Sequence, residues 1–140
     1  MIINEIVNIF ENSKTEDILG TRLNNLYDEF RGGRNPYDII ELLTHSDNLL
    51  VWHGCAICCE IIVRNYDARS ILITVLCCIL KDSKDSANRE QAFSALFGFY
   101  LDEKDVEGFN KICIEYKDDV LFEISNFATN FLKDSSYRRV

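Results

Sequence analysis

The sequence predicts an all-α fold of about eight helices in a single domain. Apolar residues recur at helical spacing along the chain, whereas sustained alternation of apolar and polar residues, the pattern of a half-buried strand, is absent. Asn-Gly and Asp-Gly pairs, which favour hairpin turns, are also absent. The 140 residues are 47% hydrophobic and 27% charged, which is the size and balance of one globular domain that folds unaided.

Two helices are predicted within residues 1–34, as an N-terminal pair. The first has an apolar stripe formed by Ile2, Ile3, Ile6, Val7 and Phe10. The second has a stripe formed by Ile18, Leu19, Leu23, Leu26, Tyr27 and Phe30. Gly32 and Gly33 end the second helix, because glycine readily adopts the left-handed conformation common just after a helix.

Three further helices are predicted in the middle of the chain. Asn35 and Pro36 supply a cap and a first-turn proline for a short helix that ends near residue 44. Ser46 and Asp47 introduce a helix that runs to about residue 64. Asp67 caps another, which ends near residue 82. The last two helices are apolar nearly all round, so we expect neighbouring helices to cover them on several sides.

The C-terminal half completes the fold with helices predicted over residues 86–101, 105–116 and 119–132. Short acidic and polar turns join these helices, and residues 133–140 form a C-terminal tail. No linker or low-complexity segment divides the chain, so we predict one domain over residues 1–140.

An internal repeat is predicted within residues 36–132. Asp47, Asp85 and Asp118 mark tight turns between paired helices, roughly 35 residues apart. At one fixed offset from these turns lie the small residues Gly54, Ala92 and Ser125, and at a second offset lie Ile57, Ala95 and Ala128. A small residue at a fixed offset lets the two helices of each pair approach closely.

The clearest copy of the repeat is Glu41-Leu-Leu-Thr-His-Ser-Asp47 followed by Gly54-Cys-Ala-Ile57. This pattern resembles the HEAT family of helical repeats, in which helix pairs stack into a curved solenoid. The resemblance covers residues 36–132 and implies three HEAT-like helix pairs in a short α-solenoid. The last two copies are degenerate, and Arg89 is the candidate for the arginine that often follows the Asp in this family. The alternative is an irregular orthogonal helical bundle.

The six cysteines are predicted to be reduced. The chain begins Met-Ile-Ile-Asn-Glu-Ile, which is not the pattern of a signal peptide, so we expect a cytoplasmic protein. Cys55, Cys58 and Cys59 include a Cys-x-x-Cys spacing, but they lie in a strongly apolar helix where cysteine fills volume. Cys77 and Cys78 point about 100° apart on a helix. We therefore predict no metal site, and we expect Cys58, Cys77 and Cys78 to be inaccessible.

No catalytic constellation is predicted. His45, Ser46 and Asp47 are the residue types of a hydrolytic triad, but immediate neighbours in sequence do not converge in the geometry that a triad needs. The sequence also contains no glycine-rich phosphate loop after a strand. We expect a protein without enzymatic activity and without a cofactor.

The formal net charge of −8 disfavours nucleic acid and anionic membrane surfaces as partners. It also disfavours a DNA-repair glycosylase of the HEAT-like kind, which needs a basic groove. The longest apolar run, residues 71–80, is about half of the ~20 residues that a membrane span requires. The expected partner is a basic protein, and the oligomeric state is left open.

The partner-binding surface is predicted within residues 90–126. Residues 102–123 include eight acids and three lysines. The helix over residues 86–101 is expected to pack through Ala92, Phe93, Leu96, Phe99 and Tyr100, with Glu90, Ser94, Phe97 and Leu101 on the other side. The last helix is expected to pack through Val120, Ile124, Phe127 and Phe131, which leaves Phe122, Asn126 and Thr129 facing elsewhere.

Exposed aromatic rings beside carboxylates are the mixture expected of an anchoring patch with a charged rim. The alternative for the acids is a solvated set of helix starts, where carboxylates complement the helix dipole. The predicted partner-binding residues are Glu90, Phe97, Asp102, Glu103, Asp105, Glu107, Asp119, Phe122, Glu123 and Asn126.

In size, acidity and helical architecture the chain resembles the immunity proteins that neutralise bacterial contact-dependent or secreted toxins. The resemblance implies an inhibitor that covers a basic toxin domain, often a nuclease, with an acidic surface that mimics substrate phosphates. Carboxylates of such a surface steer association, and aromatic anchors slow dissociation. The alternative is a HEAT-like scaffold or adaptor that holds a peptide or a subunit.

Overall fold

The computed structural model describes residues 1–134, and this part of the chain consists of α-helices and turns without a strand. Its helices are α1 (Ile2–Asn12), α2 (Glu16–Arg31), α3 (Asp38–Leu43), α4 (Asn48–Cys59), α5 (Tyr66–Asp82), α6 (Ser86–Asp102), α7 (Val106–Tyr116) and α8 (Phe122–Lys133). The all-α prediction is confirmed. Residues 135–140 of the predicted tail lie outside the described residues.

Within residues 1–134, no helix combines the length and the apolar character that a membrane span would require.

Side-chain caps fix the start of most helices. Thr15 accepts a hydrogen bond from the backbone N–H of Ile18 at the start of α2. Asp47, Asp85 and Asp105 do the same for α4, α6 and α7. Each cap satisfies an N–H that has no partner within the helix, so these polar residues define where the helices begin.

Four predicted boundaries are wrong. The helix α3 begins at Asp38 and has no side-chain cap, so Asn35 and Pro36 lie before the helix and not at its start. The helix α4 ends at Cys59, and a non-helical segment of residues 60–65 occupies the stretch predicted as its last turns. The cap of α5 is Asn65, whose Oδ1 accepts from the N–H of Ala68 at 3.0 Å, and not Asp67. The helix α8 begins at Phe122 because the Asp119 carboxylate accepts from the N–H of Leu121 at 3.0 Å in a turn before it.

The helices pack mainly against their neighbours in the chain: α1 on α2, α3 on α4, α5 on α6, and α7 on α8. In addition α4 packs on α6, α3 on α5, and α6 on both α7 and α8, so α6 is a central element. One continuous hydrophobic core connects all of them. These contacts contain the helix pairs that the repeat predicted, whereas the curved HEAT-like solenoid stays a prediction.

The two helices predicted to be covered on several sides differ in burial. Most residues of α4 are buried, including His53, Gly54 and the six residues around them. On α5, Ile71 is 41% exposed and Cys78 is exposed as well. The expectation is therefore met by α4 and only in part by α5, on which α3 and α6 pack while one face stays open.

Gly54 lies at a close approach between α3 and α4. A Cβ atom at this position would lie 3.0 Å from the Cβ of Leu42 and 2.9 Å from Cδ2 of Leu43. The Cβ of Leu42 cannot move without its backbone, so a larger residue forces the two helices apart. The small residue inferred from the repeat is required here for packing.

Arg34 holds the three N-terminal helices together. Its guanidinium donates to Glu5 on α1 and to Asp38 on α3, and it lies 3.4 Å from a carboxylate oxygen of Glu29 on α2. The hydrogen bonds from Arg34 lower the pKa of the Glu5 carboxyl. The chain reaches this position through Gly33, whose φ of 110° is a conformation that glycine adopts readily.

Candidate protein-binding surface

An open groove of 370 Å³ runs along α8. The described residues that line it combine three aromatic rings, two amides and two carboxylates: Phe122, Glu123, Asn126, Phe127, Asn130, Phe131 and Asp134. The rings lie at the surface to different degrees, since Phe122 is 70% exposed, Phe127 is 38% exposed, and Phe131 is buried. The groove thus has an apolar floor and polar groups along its length.

A cluster of aromatic rings supports the floor of this groove from behind. Phe127 packs edge-on against Phe97 with ring centroids 5.0 Å apart, and Phe131 packs edge-on against Phe109 at 4.8 Å. Phe93 contacts both Phe109 and Phe127. Rings from α6, α7 and α8 therefore fix the position of the groove floor, because edge-to-face pairs add to the energy of burial.

Three of the predicted partner-binding residues, Phe122, Glu123 and Asn126, line the groove together. Asn126 accepts a hydrogen bond from the Asn130 amide at 3.4 Å, which aligns two polar side chains along one face of α8. Glu123 has no ion-pair partner among residues 1–134. A carboxylate beside an exposed aromatic ring is the arrangement that the sequence predicted.

Phe97 does not have the exposed position predicted for it. Its ring is half-buried and contacts Phe109 at 5.3 Å as well as Phe127 and Phe131. Phe93 and Leu96 of the predicted apolar stripe on α6 are buried, as expected. However, α7 and α8 both pack on α6 and cover a second face of it. Phe97 therefore belongs to the support of the groove and not to its surface.

A second group of predicted residues forms an acidic corner between α6 and α7, made of Asp102, Glu103, Asp105 and Glu107. Glu103 lies 3.6 Å from the Nε of Arg69, and Asp105 is occupied by capping the Gly108 N–H at 2.8 Å. Asp102 and Glu107 are exposed and have no ion-pair partner among the described residues. Partial burial is the main cause that raises the pKa of the Asp102 carboxyl.

Asp119 is unsuited to the surface role predicted for it. Its carboxylate receives two hydrogen bonds from Arg89, at 2.7 and 2.9 Å, and the side chains are only 12% and 14% exposed. Arg89 also donates to the carbonyl of Leu80 at 2.7 Å. The pair connects the end of α5, the start of α6 and the turn before α8, so its charges are matched within the protein.

The remaining predicted residue, Glu90, is exposed on α6 but does not line the groove. It has no ion-pair partner among residues 1–134. Of the ten predicted residues, three line the groove and four form the acidic corner. Glu90 is isolated, and Phe97 and Asp119 have roles inside the protein.

Sequence reasoning missed four residues of the groove: Phe127, Asn130, Phe131 and Asp134. Phe127 and Phe131 were assigned to the packed stripe, whereas each both packs inward and lines the groove. Asn130 and Asp134 follow Asn126 at intervals of one helical turn. Extension of that polar row along α8 would have found them. Val120, predicted to pack, is 99% exposed because it lies before α8 begins.

The thiols differ in accessibility. Cys58 is buried, as predicted, and burial raises its pKa well above the ordinary value. Cys77 is half-buried and Cys78 is exposed, so the prediction of an inaccessible pair is wrong. Within residues 1–134, no three histidine, cysteine or acidic side chains are grouped closely enough to hold a metal ion.

His53 is a buried part of the core between α2 and α4. Its Nδ1 lies 2.6 Å from the hydroxyl of Tyr27, and the rings of Phe10 and Trp52 pack around it. Burial lowers the pKa of this histidine, which favours its neutral form. These contacts give His53 a packing role.

Comparison of the chain with protein-family models, curated proteins and solved structures gave no match.

Proposed function

We propose that this protein is a non-catalytic inhibitor that binds a basic protein, as an immunity protein binds its toxin. The observation that carries the proposal is the groove on α8, where the exposed ring of Phe122 lies in the same lining as the Glu123 carboxylate. An aromatic anchor beside a charged rim is a frequent composition of protein-binding hot spots. The bound region would be a basic surface with an apolar side chain at its centre.

The charge of the C-terminal half supports a basic partner. Glu90, Asp102, Glu107 and Glu123 have no ion-pair partner within residues 1–134, and all of them are exposed. Unmatched carboxylates raise the local negative potential, which accelerates encounter with a positively charged protein. The Asp119 carboxylate contributes little to this potential because Arg89 neutralises it.

The groove has features of a binding surface more than of a catalytic cleft. Its two carboxylates, Glu123 and Asp134, are separated by nearly the whole of α8, or about 16 Å along the helix axis. Paired catalytic carboxylates of glycosidases lie within about 10 Å of each other. Within residues 1–134, the other polar groups of the lining are amides, which do not exchange protons near neutral pH.

The proposal is tested with the product of the neighbouring gene, co-expressed and purified as a complex. Phe122→Ala is expected to accelerate dissociation and to weaken binding by about 2 kcal/mol or more, because an anchor is lost. The double variant Glu107→Lys and Glu123→Lys is expected to slow association and to flatten its dependence on salt. Binding kinetics at two ionic strengths measure both effects.

Two matched controls locate the interface. Tyr66→Ala removes another strongly exposed aromatic ring, and Glu16→Lys reverses an exposed acid on α2. Neither residue lines the α8 groove, so neither change should alter binding. Equal weakening by the control and groove variants, or unchanged binding by all of them, would contradict the proposed interface.

A scaffold or adaptor remains the second candidate function. The non-helical segment 60–65, described below, favours it because such a segment can hold a peptide. The two functions differ in their effect on the partner: stoichiometric addition of an inhibitor abolishes the partner's own activity, whereas a scaffold leaves that activity intact.

A further inference from the structure

The segment between α4 and α5 contains four consecutive residues, 61–64, whose backbone groups have no hydrogen-bond partner within residues 1–134. Neither the N–H nor the C=O groups of Ile61, Ile62, Val63 and Arg64 form a hydrogen bond with any described residue. Such groups must be hydrogen-bonded to water or to a ligand. A continuous row of them is the feature by which an exposed strand edge captures another chain.

Side-chain burial alternates along the same four residues. Ile61 and Val63 are buried, whereas Ile62 is 63% exposed and Arg64 is exposed. Alternation of this kind is the pattern of a half-buried strand, in which successive side chains point to opposite faces. Three of the four residues are β-branched, a composition that favours strand pairing.

A groove of 300 Å³ lies beside this segment. Its other wall is the end of α2 and the turn that follows, including Phe30, Gly33 and Pro36. Buried Phe30, Ile61 and Val63 give it an apolar floor. An extended peptide lying here would have backbone partners on one side and a site for an apolar side chain below.

The charges of this groove are opposite in sign to the charge of the whole protein. Among residues 1–134, the charged residues that line it are all arginines, namely Arg31, Arg34 and Arg64, although the net charge of the chain is −8. Arg31 pairs with Asp28 and Glu60, and Arg34 pairs with three acids described above. Arg64 has no ion-pair partner within residues 1–134, so it is available to a carboxylate from outside.

From these observations we infer that the groove beside residues 61–64 binds an extended acidic segment of a partner protein by strand addition. The backbone of the partner segment pairs with residues 61–64, an apolar side chain contacts the floor, and a carboxylate pairs with Arg64. This surface is formed by residues 30–36 and 61–65, and it shares no residue with the α8 groove. The inference is therefore independent of the proposed inhibitor function, which depends on the α8 groove.

The test uses a short, fluorescently labelled synthetic peptide in which valine and threonine alternate between flanking aspartates. Fluorescence anisotropy is expected to show saturable binding that the Arg64→Glu variant weakens by about fivefold or more, because an ion pair is replaced by a repulsion. Lys84→Glu, an equal charge change at an exposed site outside the groove, should have a much smaller effect. A lysine-flanked peptide of the same core should bind more weakly.

Backbone pairing is measured separately from charge. In a two-strand pair, one strand uses the N–H and C=O groups of alternate residues only. Amide hydrogen exchange followed by NMR should therefore slow at one alternate pair, either Ile61 with Val63 or Ile62 with Arg64, when the aspartate peptide is added. A peptide with N-methylated backbone, which keeps the carboxylates but loses the donors, should bind poorly.

Each opposite result overturns the inference. Absence of saturable binding, equal binding of the aspartate and lysine peptides, or equal binding of the N-methylated peptide would exclude strand addition of an acidic segment. Exchange of residues 61–64 that is already slow without peptide, together with dimers in sedimentation, would identify a second copy of the chain as the occupant instead.

Discussion

At the residue scale, the ion pair of Arg89 and Asp119 is important for folding, although the position of Asp119 among many acids suggests a surface role. The guanidinium satisfies both carboxylate oxygens and the carbonyl of Leu80, in a setting with little access to solvent. Charge-assisted hydrogen bonds of this kind are stronger than neutral ones, and removal of one partner leaves the other unsatisfied. The pair should therefore contribute to folding more than an exposed ion pair does.

Substitution at this pair should destabilise the fold. Asp119→Asn is expected to cost about 2 kcal/mol, because the amide keeps the shape but loses the charge. Arg89→Met is expected to cost about 3 kcal/mol, since it leaves the Asp119 carboxylate and the Leu80 carbonyl without their partner. Urea unfolding measures both free energies.

The matched control is Asp118→Asn, which neutralises the neighbouring exposed acid. It should change the free energy of unfolding by less than about 0.5 kcal/mol. A loss at Asp118 as large as that at Asp119 would show that general charge, and not the bidentate pair, accounts for the effect.

At the element scale, the glycines inside helices differ in their surroundings, and Gly54 marks a close contact between two helices. Gly54 lies where α3 and α4 meet, whereas Gly98 lies within α6 with no atom near the position of its absent Cβ. The two glycines therefore have opposite structural roles although both lie inside helices. Packing between helices also explains Phe97. Its ring is half-buried because α7 and α8 cover a second face of α6, outside the apolar stripe predicted from the sequence.

Gly54→Ala should destabilise the protein, because the added methyl group clashes with Leu42 and Leu43. We expect a loss of about 1 kcal/mol or more after the higher helix propensity of alanine is included. Gly98→Ala is the control, because no atom lies near the added methyl group. It should raise the free energy of unfolding by up to about 1 kcal/mol through the higher helix propensity of alanine. Thermal unfolding of both variants measures the difference, and a stabilising Gly54→Ala would refute the close contact between α3 and α4.

At the scale of the whole molecule, charge and burial together determine how stability depends on pH. The protein carries a formal charge of −8, and two of its carboxylates are paired with arginines. Hydrogen bonds from Arg89 and Arg34 lower the pKa of Asp119 and of Glu5, respectively. His53 has a pKa lowered by burial. These two kinds of group act in different pH ranges.

Stability should fall in two steps on acidification. Because the folded state lowers the pKa of His53, the unfolded chain binds this proton first, and stability declines as the pH falls below about 6.5. The lowered carboxyl pKa values of Asp119 and Glu5 produce the second decline, as the pH falls below about 4. Urea unfolding at a series of pH values resolves the two ranges.

His53→Gln should remove the first decline and leave the second, whereas Asp119→Asn should reduce the second alone. His45→Gln is the control, since His45 lies in the turn between α3 and α4 and outside the buried cluster of aromatic rings. If His45→Gln removed the first decline, the assignment of that step to burial of His53 would be wrong.

The sequence by itself determined the fold class, most helix positions and the small residue at Gly54. Periodic apolar residues require a buried stripe, and Asp47, Asp85 and Asp105 cap helices through local hydrogen bonds, so both signals are present within a few neighbouring residues. It also predicted Phe122 and Asn126 outside the packed stripe from the phase of a single helix, and Glu123 from the run of acids before it; all three line one groove.

Only the tertiary structure decided which charges are free and which aromatic rings are exposed. Asp119 meets Arg89 from a position 30 residues away, and Phe97 is covered by rings of two other helices. The unpaired backbone of residues 61–64 became visible only when α4 was found to end at Cys59. Each of these features depends on partners distant in the chain, and a pattern that repeats every few residues contains no information about such partners.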